Sequence, residues 1–176
     1  MNEPSCNGKE PECPGRGLLP VSVGPVYVLV LGSFPGRQSL LKHEYYGNER
    51  NHFWQIIESL FQIDRHLPYS TRTVQLSGRG VALWDVISEC NRTGSSDTRI
   101  RDPVFNDIAR FLDLNPSLQL IALNGSTAGR YYVRLNITTS VPFVVLPSTS
   151  PANTKFTLDE KIKRWEIIRA QNKNMV

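Results

Sequence analysis

The chain has 176 residues, of which 40% are hydrophobic and 20% charged, a composition that suits one well-buried domain and excludes a disordered or fibrous protein. Its apolar runs, such as residues 26–31 and 118–123, are far shorter than the roughly 20 residues of a membrane helix, and no basic segment followed by an apolar core opens the sequence. Cys6, Cys13 and Cys90 lack paired spacing, which argues for a reducing compartment and against a zinc site or disulfide framework, while a net charge of +4 suits a polyanionic partner.

Residues 1–24 are rich in Pro, Gly, Glu and Lys without periodicity. They read as an unstructured leader, leaving residues 25–172 as the folded domain and 173–176 as a tail. The first strand is predicted over residues 26–31, followed by a helix over 52–63, a strand over 80–85 and a helix over 103–114. A strand over 118–123, a helix over 126–135, a strand over Phe143–Leu146 and a helix over 158–171 complete the series. Pro103 suits a first helical turn, where its missing N–H costs nothing. Thr157 can cap the last helix, with Asp159 and Glu160 at the positive end of its dipole. Strands alternating with helices indicate a parallel sheet covered on both faces.

In such a sheet the turns after the first, second and fourth strands gather at one edge. They read "GSFPG", "LWDVISECNRTGSSD" and "LPSTSPANT". Gly32, Pro35 and Gly36 allow a tight turn whose backbone approaches a ligand closely. Ser148, Thr149, Ser150, Asn153 and Thr154, set between prolines and followed by Lys155, suit phosphate oxygens. Asp85 ends its strand, where it either reads donor groups and handles a proton or caps the next turn. Asn51 precedes a helix that it could cap, and Asn124 is expected to cap the helix after the third strand, with a role at the site as the alternative. Tyr45, Tyr46, Phe53 and Trp54 are core or, beside Arg37, Lys42, His43 and Arg50, a base-stacking surface. For Arg92 and Asp97 an internal ion pair and a DNA contact both stand open.

Taken together and in this order, these segments resemble the uracil-DNA glycosylase superfamily. "GSFPG" is similar to its first motif, "GNERNHFW" to the Asn-x-Phe-Trp segment of the mismatch-specific uracil and thymine glycosylases, and "GVALWDVISECNR" to the strand that carries the base-reading residue. "LPSTSPANTKFTLDEKIKRW" is similar to the second motif, a loop that enters DNA, with its following helix. The resemblance covers residues 26–169. It implies an α/β fold, a three-layer α/β/α sandwich around a central four-stranded, mainly parallel sheet. The implied activity is that of a monofunctional DNA glycosylase that hydrolyses the N-glycosidic bond of a deaminated base, hypoxanthine above all, and starts base excision repair. Double- or single-stranded DNA is the implied partner, with no membrane, cofactor or metal, a monomeric state, and a place in the nucleus of a eukaryote or the cytoplasm of a prokaryote.

Three departures shape the expected site. Most of the superfamily carries Asn or Asp at the third position of the first motif to position water, and here that position is Phe34, which cannot. The sequence is therefore closest to the hypoxanthine-DNA (deoxyinosine) glycosylase branch, in which a polar residue further along takes over, and Asn51 is the candidate. Asp85 stands where many uracil-excising relatives have Asn. As a carboxylate it only accepts, and would prefer the N1–H of hypoxanthine to the bare N1 of adenine. The second motif lacks a histidine, so electrophilic help to the departing base comes from elsewhere or is weak. The expected site thus comprises Asn51 for catalysis, Gly32, Ser33, Phe34, Asp85 and Tyr46 around the base, and Arg37, Ser148, Thr149, Ser150 and Asn153 on DNA. A uracil or thymine mismatch glycosylase, an inactive DNA-binding module of the same fold, and a small-molecule enzyme such as a nucleotide hydrolase are the alternatives.

Overall fold

The computed structural model describes residues 13–170. The chain runs β1 (Cys13–Arg16), β2 (Val28–Gly32), α1 (Arg37–Lys42), α2 (Phe53–Phe61), α3 (Tyr69–Gly78), β3 (Val81–Asp85) and β4 (Ile87–Arg92). A single 3-10 turn (Asp97–Arg99) leads to β5 (Arg101–Phe105), α4 (Ile108–Leu114), β6 (Leu120–Asn124), α5 (Ser126–Arg134), β7 (Phe143–Leu146), α6 (Leu158–Trp165) and α7 (Ile167–Ala170). Residues 1–12 of the expected leader, Gln171 of the last expected helix and the expected tail lie outside the described residues.

Four strands form a parallel sheet in the order β3-β2-β6-β7. The chain leaves β2 for β3 on one side, then crosses back past β2 to β6 and β7. Right-handed crossovers in opposite directions place their helices on opposite faces, and the packing follows. Val28, Val30 and Leu83 meet Phe53, Ile56 and Ile57 of α2, Leu76 of α3 and Trp165 of α6 on one face. On the other, Leu29, Leu31, Ile121 and Leu123 meet Ile108, Phe111 and Leu112 of α4 with Ala128 and Tyr132 of α5. All five residues of β2 are buried, which is why that strand is apolar at every position rather than at alternate ones. The three-layer α/β/α sandwich expected from the sequence is the fold observed.

A second, antiparallel sheet of order β1-β4-β5 was not anticipated. Residues 13–24, read as part of an unstructured leader, instead pair: Cys13–Arg16 runs against β4, and Val21 bridges Leu83 at the edge of the main sheet through hydrogen bonds of 2.9 and 3.0 Å. Pro103 does not start a helix; it sits in β5, an edge strand, at an irregularity between the paired residues Arg101 and Val104, where a missing N–H leaves no ladder bond unmade. The helix begins later, at Ile108, capped by Asp107. Residues Arg37–Lys42 and Tyr69–Gly78 are helical where none was expected, and the last expected helix is divided at Glu166 into α6 and α7. Thr157 caps α6 as expected, in a reciprocal box with Glu160. The edge strand β7 is four residues long, lies between Pro142 and Pro147, and exposes Phe143 and Val145.

Phe53 ties the layers together. It is fully buried, stacks on Tyr46 at 3.8 Å between centroids and meets Trp54 and Trp165 edge-on at 5.2 and 5.9 Å. Truncating a packed aromatic removes its contacts and leaves a cavity. Phe53→Ala is expected to lower the unfolding free energy by about 3–5 kcal/mol, measured as a fall in the urea midpoint at constant slope.

Candidate active site

The last residues of the four parallel strands are Gly32, Asp85, Asn124 and Leu146, in register across the sheet, and all four line one cavity of about 870 Å³. The cavity lies where the strand connections change direction, the place at which open α/β sheets bind ligands. Each of the residues expected at the site lines it: Asn51, Gly32, Ser33, Phe34, Asp85, Tyr46, Arg37, Ser148, Thr149, Ser150 and Asn153.

Gly32 is a glycine for a steric reason. A Cβ there would stand 2.3 Å from Asp85 Oδ1, so the carboxyl group of β3 lies across the bare end of β2. The backbone then turns along the start of β4, with Val86 and Ile87 donating to the carbonyls of Gly32 and Ser33 at 2.9 and 3.0 Å. Ser33 Oγ donates to Asp97 Oδ2 at 2.9 Å, and the Arg37 N–H donates to Ser95 Oγ at 3.1 Å, which lays the loop before the 3-10 turn over the Gly-Ser-Phe-Pro-Gly turn. Phe34 is 6% exposed, and its ring is taken up by a small core with Ile87, Cys90 and Ile100. Arg92, 8% exposed, lies 4.9 Å from the centroid of that ring and donates through Nη2 to the Pro35 carbonyl. Its hydrogen bond goes to the turn and not to Asp97, so Arg92 is a buried brace rather than a DNA contact.

Asp85 is 4% exposed, and its Oδ2 has no hydrogen-bond partner among the described residues. Burial, then the nearby charge of Asp97, pushes its acid up to about 8 against the pull of Arg92. Burial thus favours the acid over the accept-only carboxylate considered from the sequence. At neutral pH the group is mainly the carboxylic acid, with one O–H to donate and a carbonyl oxygen to accept. Tyr46 faces the same floor, held with φ of 57° on the Phe53 ring, and its buried hydroxyl lies beside the Asn124 side chain without a close hydrogen bond. Burial and the charge of Asp85 both raise that phenol, which stays protonated.

The opposite wall is the segment 147–155, and it is knitted to itself. Ser148 Oγ accepts from Ser150 N–H, Ser150 Oγ from Ala152 N–H, and Asn153 donates to the Ser148 carbonyl. Thr149 is 0% exposed; it exchanges two 2.9 Å hydrogen bonds with Asn124, so its polar atoms are engaged inside the fold. Asn124 thus clamps this loop instead of capping α5, whose cap is Gly125. Gly125 has φ of 98°, and a Cβ on it would meet Ser148 Cβ at 2.8 Å. From beneath, Lys161 of α6, also 0% exposed, donates to the Asn153 carbonyl at 3.0 Å and to His52 Nδ1 at 3.2 Å. Burial and the Lys161 charge lower the His52 pKa, in keeping with a neutral ring that accepts. Nothing in "LDEKIKRW" marks Lys161 out from its neighbours.

Asn51 joins these walls. Its Oδ1 accepts from Phe53 N–H at 2.9 Å, opening α2, and the next residue, His52, donates to the Thr149 carbonyl at 3.0 Å. An amide oxygen has two lone pairs, so this bond fixes Asn51 without exhausting it. At the rim, exposed Arg37, Lys155 and Arg164 line the cavity, and Arg164 and Lys155 lie 4.5 and 5.4 Å from the Phe156 ring. No group of three or more His, Cys, Asp or Glu side chains placed to hold a metal ion occurs among the described residues, and none of their helices is long and apolar enough to cross a membrane.

Residues 22–169 match the family model of the uracil DNA glycosylase superfamily. A protein of Methanosarcina acetivorans named hypoxanthine DNA glycosylase is 34% identical over 154 residues, covering 87% of this chain and 96% of its own. One of the same name from Methanosarcina barkeri is 36% identical over 117 residues, 66% of this chain and 74% of its own. A solution NMR structure from Methanosarcina acetivorans, described there as a candidate uracil DNA glycosylase, superposes with a TM-score of 0.80 at 32% identity, over 91% of this chain and 99% of that one.

Asp85 gives the site a stability signature. An acid whose folded pKa lies above its unfolded value stabilises fully below the ordinary 3.8 and loses that contribution as pH rises to about 8. Asp85→Asn removes the titration. Its stability relative to the native protein is expected to climb by about 1.4 kcal/mol per pH unit across that window, read from denaturant unfolding at pH 5, 7 and 9.

Proposed function

The chain belongs to the uracil DNA glycosylase superfamily, and we infer that within it the protein is a monofunctional DNA glycosylase that hydrolyses the N-glycosidic bond of a deaminated base in DNA, hypoxanthine above all. The observation that carries this reading is the buried, unpartnered Asp85 Oδ2 at the cavity floor, with the Tyr46 hydroxyl, engaged only weakly by Asn124, beside it. Buried polar atoms without partners are costly. A flipped base whose edge offers both an acceptor and a donor would satisfy them, and the names of the Methanosarcina relatives support the same choice.

Hypoxanthine presents O6 and N1–H side by side. The acid form of Asp85 donates to O6 and accepts from N1–H, with Tyr46 as a second donor. The target nucleotide leaves the duplex to reach this floor, and the 147–155 loop with Arg37 holds the strand on either side. Cleavage passes through an oxocarbenium-like sugar, and Asn51, fixed at the start of α2, orients the water that captures it. The backbone of Gly32 and Ser33 borders the base, and the protein acts as a monomer without metal or cofactor. Uracil carries the same acceptor–donor edge at O4 and N3–H, which makes a uracil or thymine mismatch activity the second reading.

The test is single-turnover cleavage of labelled duplexes holding one inosine, uracil, xanthine or T:G mismatch. Inosine is expected to be the fastest substrate, with Asn51→Ala slowing it by about 100-fold or more while affinity for the duplex changes by less than about threefold. Preference for uracil would transfer the activity to the second reading. Salt-sensitive DNA binding without release of any base would make the protein an inactive binding module.

A further inference from the structure

The second motif of this chain has no histidine to assist the departing base, and none of its three histidines, His43, His52 and His66, lines the cavity. The need for such help remains. When the glycosidic bond breaks, its electron pair passes into the base and charge accumulates on the lactam oxygen, where a prepositioned donor in a dry pocket is most effective.

Two carboxyl groups border the cavity, Asp85 and Asp97, and their surroundings differ. Burial raises the Asp97 acid above its ordinary value, while the bond it accepts from Ser33 Oγ at 2.9 Å and the charges of Arg92 and Arg130 pull it back toward the ionised form. Asp85 has an unpartnered oxygen, sits deeper, and feels Asp97 as a like charge. Paired acids in unlike environments divide the roles of proton holder and anion between them.

We propose that Asp85 is a catalytic donor as well as a reader of the base, giving its O–H to the lactam oxygen as the base departs, and that Asp97 is the positioning residue that keeps the proton on Asp85. This rests on the glycosylase reading above. The C1′–N9 bond breaks with its electron pair going to the base. The Asp85 proton moves to O6, and hypoxanthine leaves as its 6-hydroxy tautomer, which reverts to the lactam in water. The oxygen of water bonds to C1′, its proton goes to solvent, and solvent returns one to Asp85. The other groups facing Asp85 are Arg92 and the phenols of Tyr45, Tyr46 and Tyr69. All three phenols are raised by burial, so none of them titrates near the range in which Asp85 does.

The experiment is single-turnover base release between pH 5.5 and 9.5 from duplexes with inosine, and with an inosine analogue whose electron-withdrawing C2 substituent makes it a better leaving group. Asp85→Ala is expected to lose about 10²–10³-fold on inosine and at least tenfold less on the analogue, which needs less help. Asp85→Asn, which keeps a donor and an acceptor but has no acid proton to give up, should bind the inosine duplex within about threefold of wild type yet cleave it nearly as slowly as Asp85→Ala. Asp97→Asn should move the alkaline fall in rate to lower pH, because removing a like charge eases ionisation of Asp85. The base titrates in alkali too, so the shift between variants is the readout. Equal losses on both substrates in Asp85→Ala, an Asp85→Asn rate within about tenfold of wild type, or an unshifted profile in Asp97→Asn would each overturn the proposal and leave the glycosylase reading standing. Failure of the wild type to release either base would overturn both.

Discussion

A parallel sheet covered by helices on both faces leaves its ligand groups one exit, the carboxyl ends of the strands. Everything at this site follows from that constraint. Val28 to Leu31 and Leu120 to Leu123 are committed to packing, so chemistry begins at the first residue past the apolar run. The result is a floor made of Gly32, Asp85, Asn124 and Leu146, four strand ends with four different tasks. One makes room, one carries the proton, one grips the opposite loop and one packs beneath it. Moving any strand by one residue would put an inward-facing hydrophobe where a polar group is required.

The floor is built against the interest of stability. Asp85, Tyr46 and Arg92 each keep a buried polar atom without a partner, in a fold that elsewhere satisfies Asn124, Thr149 and Lys161 with close hydrogen bonds. Ser77 and Tyr132 hold similar atoms away from the cavity and Arg92 sits behind its turn, but those of Asp85 and Tyr46 line the cavity, where a polar ligand could satisfy them. Arg92 shows the compromise: its buried charge tempers both acids, braces the Pro35 carbonyl and covers Phe34, so the Gly-Ser-Phe-Pro-Gly turn has a rigid backing.

What could be read from the sequence was what depends on local pattern. The strands of the main sheet announce themselves as apolar runs, and the Thr157 cap is written in four residues. The loops that meet at the cavity were found because a parallel sheet must bring them together. The antiparallel sheet escaped, since "CPGR", "ISECNR" and "RDPVF" carry no alternation and pair only through contacts distant in sequence. Pro103 was misread for the same reason: a proline tolerated at a helix start is equally tolerated in an edge strand, and only the partner decides. The protonation of Asp85 was out of reach because it belongs to the burial of the group and to Asp97, twelve residues on. Lys161 was invisible because a lysine in a polar helix looks solvated until the loop it supports is placed over it.

The two edges of the main sheet are finished differently. At β3 the bridge from Val21 to Leu83 occupies backbone groups that would otherwise be open. At β7 nothing among the described residues pairs on the outer side, yet the strand is four residues long and stands between Pro142 and Pro147. Long, unbroken edges invite edge-to-edge aggregation. An N-terminal segment on one flank and two prolines on the other act as gatekeepers, so a sheet carrying exposed Phe143 and Val145 offers other chains no long open edge.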